Sequence, residues 1–171
     1  MHQQCPAMNL VLWTAQVLWG VFFSVTGFGK VLCINQTVWN HTLPQVPWFS
    51  AIPQALFVFI GVCEFLGGVG LILPAMTRVK PNLTPLAAFG LTLVMLLAAI
   101  FHIMRGEYRA FLPLNLVLAG GSAFIAYGRW FMRPIAPESA RTLRVVTALA
   151  ALGALVLVSS APVWYQMTHT H

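Results

Sequence analysis

The sequence predicts an all-α, polytopic membrane bundle, and three observations carry that assignment. Of 171 residues, 59% are hydrophobic and 7% charged, with a mean hydropathy of +0.82; soluble domains carry about a quarter charged residues. Apolar runs long enough to cross roughly 30 Å of hydrocarbon, about 20 residues each, recur along the chain. The charges gather at the ends of those runs, except Glu64, the only formal charge between Ile52 and Pro74.

Five spans follow in order. The first, Leu10–Leu32, reaches Gly27, Gly29 and Lys30 at its end; residues 1–9 lack the Lys or Arg of a signal-peptide n-region, so it reads as retained. The second, Ile52–Pro74, stops at its proline, where a helix interior loses a donor. The third is Leu83–Met104. The fourth, Phe111–Gly128, is the shortest and is followed by the interfacial aromatic Trp130, with Tyr127 just before its end. The fifth, Leu143–Val163, follows the polar connector Pro134–Ala140. The expected division is a four-helix domain over 1–132 and a connector with a fifth helix and short tail over 133–171. Between the first two spans, residues 33–51 carry Trp39, Pro44, Pro47, Trp48 and Phe49, a composition suited to lying on the interface and capping the bundle.

Loop charges set the expected orientation. With the N-terminus cytoplasmic, Arg78, Lys80, Arg129, Arg133, Arg141 and Arg144 lie inside, and Lys30, Arg105 and Arg109 outside. The net charge of +6 is thereby a matter of topology, and no interleaving of bases with aromatics points to nucleic acid. Cys5, Cys33 and Cys63 are odd in number and show no CxxC or Cys/His spacing, which argues against a disulfide framework and a metal site. Asn35-Gln-Thr and Asn40-His-Thr are glycosylation sequons, of consequence only in a eukaryotic secretory pathway.

In lipid, helices associate through small residues that let backbones approach. Gly61, Gly67 and Gly68 supply these in the second span, and Gly61, Glu64, Gly68 and Leu71 share one helical face. In the fourth span Asn115, Ala119 and Ser122 share a face beside Gly120 and Gly121. A carboxylate at bilayer depth costs a few kcal/mol and normally pairs or faces other helices. The polar constellation is Lys30, Glu64, His102, Arg105, Glu107, Arg109 and Asn115. Two readings of it stand. In one, the bases snorkel to headgroups, Glu107 pairs with a neighbouring arginine, Glu64 is a packing group and Asn115 an interhelical clip. In the other, Glu64 and His102 line a cavity, with His102 as relay, binding a polar head or passing protons. No nucleophile, zinc, phosphate-loop or haem motif is present in the sequence.

The segments GVFFSVTGFGK (20–30), IGVCEFLGGVGLILP (60–74), LAAIFHIMRGE (97–107) and AYGRW (126–130) together resemble the DoxX and DoxX-like family of small bacterial membrane proteins, over roughly 12–130. The resemblance implies a four-helix bundle in the cytoplasmic (inner) membrane. It implies recurrent polar positions at Lys30, Glu64, His102, Arg105 and Glu107. It also implies sulfur and redox metabolism, with quinone as cofactor or a soluble or membrane oxidoreductase as partner. The long 33–51 loop and the fifth helix depart from the family pattern. Three functions follow as expectations: a redox-associated subunit without complete catalytic machinery, a non-enzymatic scaffold or assembly factor, and a small proton-coupled carrier; the last lacks the internal repeats common in transporters.

Overall fold

The computed structural model describes residues 6–45 and 47–136. Four long helices, α1 (Pro6–Leu32), α3 (Gln54–Thr77), α4 (Leu83–Met104) and α5 (Tyr108–Tyr127), are joined by short connections. A short helix, α2 (Gln36–Thr42), and two 3₁₀ turns, Leu43–Gln45 and Pro47–Ala51, fill the one long connection. A π-helical turn, Gly128–Met132, extends α5. Each long helix, counting that extension, is long and apolar enough to span a membrane. The expected fifth span, Leu143–Val163, lies outside the described residues.

The helices pack in the order α1–α3–α4–α5, and α5 returns to touch α1. Short connections between helices of this length make sequential neighbours antiparallel. One end of the bundle therefore holds Asn9, Arg78 and Arg129, and the opposite end holds Lys30, α2, His102 and Arg105. A core of Phe23, Leu71, Ala88, Leu91, Met95 and Ile125 fills the middle. Outward faces present Leu18, Phe59, Leu66, Phe89, Leu97 and Val117. Helices satisfy their backbone groups internally, so such faces are at home against acyl chains. The protein is a multi-pass membrane protein in contact with the bilayer.

Sequence and structure part at several boundaries. Pro74 does not end its helix; α3 continues to Thr77, and the chain leaves through Arg78 at φ 56°. The same helix starts at Gln54, after Pro53, two residues past Ile52. The fourth span begins at Tyr108 and not Phe111, because the α4–α5 turn is only three residues long. Gly106, at φ +75°, makes that turn, a left-handed position where a Cβ is penalised. Its N–H bonds to Ile103 O (3.0 Å) and that of Glu107 to His102 O (2.9 Å), the paired closing bonds of a Schellman motif.

Of the glycines expected at helix contacts, Gly61 and Gly68 face α1, Gly67 faces Leu91 of α4, and Gly121 lies under Trp19. Gly120 does not belong with them: it is exposed, with open space where a Cβ would stand. Position 120 is one residue off the buried 115–119–122 stripe, and at 100° per residue that turns it outward. The α1 side of the seam uses Gly20 and Gly27. A Cβ on Gly68 would lie 2.6 Å from Gly20 O and Ser24 N, and one on Gly61 would lie 2.9 Å from Gly27 O. Helices α1 and α3 thus meet main chain to main chain.

The long connection does cap the bundle. Asn35 starts α2 by accepting from Thr37 N (2.9 Å) and Val38 N (3.4 Å), as an N-cap side chain should. Trp39 is buried against Phe57, ring centroids 5.5 Å apart, and Trp48 stands 5.9 Å from the same ring.

Candidate functional site

The polar residues singled out by sequence separate into two clusters. In the first, Glu64 sits ten residues along α3, on the face that the glycines press against α1. That close approach brings Lys30 Nζ to 2.5 Å from both carboxylate oxygens, and Thr26 Oγ1 donates to Oε2 at 3.3 Å. The carboxylate side chain is 3% exposed and the lysine side chain 20%. Both Coulomb attraction and hydrogen bonding act here in a weakly screened place. The gap between Lys30 and Glu64 is closed by helix packing, which the linear positions alone do not reveal.

The second cluster is built by the Schellman turn. Because Gly106 folds the chain back, the Glu107 carboxylate returns over the last turn of α4. It accepts from His102 Nδ1 (2.9 Å) and from Arg105 Nε (3.1 Å) and Nη2 (2.9 Å). These hydrogen bonds, first Arg105 and then His102, hold the Glu107 carboxyl below its ordinary value of 4.5. Accepting only, the ionised carboxylate fixes hydrogen on Nδ1 and leaves Nε2 as the ring's other exchangeable nitrogen. His102 is buried and stacked on Phe111, centroids 4.3 Å apart, with Trp48 edge-on at 5.5 Å. The spacing H-x-x-R-G-E is therefore a local device: a turn, a counter-ion and an orienting acid.

Beside this cluster lies a cavity of about 340 Å³ lined by Trp48, Gly106, Glu107, Arg109, Ala110 and Phe111. Neither Glu64 nor His102 is among the residues lining this cavity or a second one at the opposite end, so neither cavity is the one expected between them. The hydrogen-bond partners of Glu64 are Lys30 and Thr26, whereas those of His102 belong to the α4–α5 turn. Asn115 is buried in α5, and its Nδ2 has no hydrogen-bond partner among the described residues.

Several groups escaped the sequence reading. Arg129, counted there only as a topology charge, is buried and donates through Nε to Gln16 Oε1 and through Nη1 to Asn9 Oδ1 at 2.9 Å. Gln16 in turn donates to Leu71 O at 2.9 Å, joining α1, α3 and α5. The available signal was the spacing of Asn9 and Gln16, seven residues apart and so on one face of α1. Trp48 over His102 had no such signal, because a ring in an irregular connection carries no periodicity.

Against known proteins, residues 14–125 match the sequence pattern of the DoxX-like family. No curated protein and no solved structure matches the chain. With about two thirds of its length covered by that pattern, and four apolar helices folded as one bundle, the chain belongs to the DoxX-like family.

Proposed function

We propose that the protein is a redox-associated membrane subunit that holds a quinone at the His102 end of the bundle and works with a partner oxidoreductase, without complete catalytic machinery of its own. The observation that carries this reading is the aromatic-walled cavity beside the His102–Glu107 pair. Its volume of about 340 Å³ falls within the range of small-molecule sites, roughly 300–1,000 Å³. Trp48 and Phe111 offer flat apolar faces to a planar ring, and Arg109 offers a donor for a carbonyl oxygen. A bound quinone would supply two-electron, two-proton chemistry. His102 does not itself line the cavity; it is bonded to Glu107 and stacked on Phe111, both of which do, and so holds those two lining residues in place. Electrons are assigned to the partner.

The test is the quinone content of protein extracted into native nanodiscs, set against the quinone-to-lipid ratio of the parent membrane. Enrichment in the wild type, lost in Trp48→Ala and His102→Ala and kept in Glu64→Gln, is the expected result. Quinone at the bulk ratio in all four sinks the proposal.

A scaffold or assembly role is the second reading, and the Lys30–Glu64 pair favours it, being an ion pair that ties α1 to α3 and lines neither cavity. Under that reading a stable protein partner co-purifies while Trp48→Ala and His102→Ala leave the complex intact.

A further inference from the structure

The chain holds three acidic residues, Glu64, Glu107 and Glu138, against nine lysines and arginines. Two of the acids have their partners on the page: Glu64 pairs with Lys30, and Glu107 with Arg105 and His102. The third, Glu138, stands two residues beyond Ala136, where the described chain ends.

That end of the chain lies at a cavity. At the end of the bundle opposite His102, a space of about 360 Å³ is lined by Asn9 of α1, Arg78 at the exit of α3, Arg129, Arg133 and residues 134–136. Three arginines line it, and no acid does among the described residues. Arg129 is buried, and its bonds to Gln16, Asn9 and the Arg133 carbonyl are all to neutral groups. Neither Arg78 nor Arg133 is free.

Like charges gathered around a small, partly desolvated space repel one another unless an anion stands among them. Two residues of chain span at most about 7 Å, so covalent geometry alone keeps Glu138 close to Ala136 and hence to the cavity. Its carboxylate is the one acidic side chain of the sequence not already engaged with Lys30, Arg105 or His102, and carboxylate is a shape that the guanidinium fork grips well. We infer that the chain closes this cavity with its own connector, the Glu138 carboxylate serving as the anion among Arg78, Arg129 and Arg133. The connector thereby straps the exit of α5 to the exit of α3.

The test uses the full chain in nanodiscs of phosphatidylcholine, a lipid without net charge. A carbodiimide joins a carboxylate to a lysine amine only where the two touch, and Arg78→Lys and Arg133→Lys each put an amine on the cavity wall. Peptide mass spectrometry is expected to find Glu138 joined to position 78 or 133 in these variants. Lys80, at the same end but outside the lining, is the internal control. Thermal unfolding gives a second readout. Glu138→Gln lowers the midpoint by about 3–6 °C, the worth of one charge-assisted hydrogen bond. Adding Arg78→Gln or Arg133→Gln to it lowers the midpoint no further than the worse single variant. The proposal is overturned if Glu138 is joined to Lys80 alone or to neither new amine, if Glu138→Gln melts with the wild type, or if its loss adds in full to those of both arginine variants.

Discussion

Removing Lys30 destabilises the bundle more than removing Glu64, although the two form one ion pair. The asymmetry follows from their exposure, 3% for the carboxylate side chain against 20% for the lysine. In Lys30→Met the carboxylate keeps only the 3.3 Å bond from Thr26 and is stranded between α1 and α3, at a cost of about 3–5 kcal/mol. In Glu64→Gln the ammonium, two residues from the end of α1, swings toward the headgroups, and the cost falls to about 1–2 kcal/mol. The double variant removes both charges and recovers part of the larger loss, giving a coupling of about 2–3 kcal/mol. Equilibrium unfolding in mixed micelles with increasing sodium dodecyl sulfate measures all four corners of the cycle. Single-variant costs that are equal, or that add in the double variant to within about 0.5 kcal/mol, refute the placement of a mutually dependent pair inside the α1–α3 contact.

Three further outcomes are expected. Gly68→Ala forces α1 away, since its Cβ meets main-chain atoms of Gly20 and Ser24 at 2.6 Å, and costs about 1–3 kcal/mol; Gly120→Ala, with open space around it, is neutral or gains up to about 1 kcal/mol, both read by the same micelle titration. Gln16→Leu removes the acceptor of Arg129 Nε and the bond to Leu71 O, lowering stability by about 1–3 kcal/mol. Glu107, whose carboxyl is depressed below 4.5, contributes stability that is fully present above that pH and is lost as pH falls through the lower folded value. The wild type therefore loses thermal stability more steeply than Glu107→Gln below about pH 4.5, as melting curves across an acid series will show.

The bundle was legible because spanning helices must bury their own backbone bonds, so length and hydropathy alone mark α1, α3, α4 and α5. The buried face of α3 was legible too, because Gly61, Glu64, Gly68 and Leu71 repeat at helical spacing. Partner choice was not. Glu64 and Lys30 stand 34 residues apart, and the depth at which they meet depends on glycines of α1 that read as helix-ending residues. Pro74 misled in the same way: a ring that ends helices in water is carried inside α3, buried among neighbours. The His102–Glu107 clasp is local enough to be read from H-x-x-R-G-E once Gly106 is recognised as a left-handed stop. Arg129 went unnoticed because a charge near a span end has an ordinary topological meaning, and nothing in its flanking residues distinguishes burial from exposure.

A joint closed by touching main chains has no slack. Sliding or rocking of α1 on α3 would drive carbonyl oxygens into amides before any side chain could yield. These two helices accordingly behave as one stiff plank, clamped toward the C-terminal end of α1 by Lys30 and Glu64.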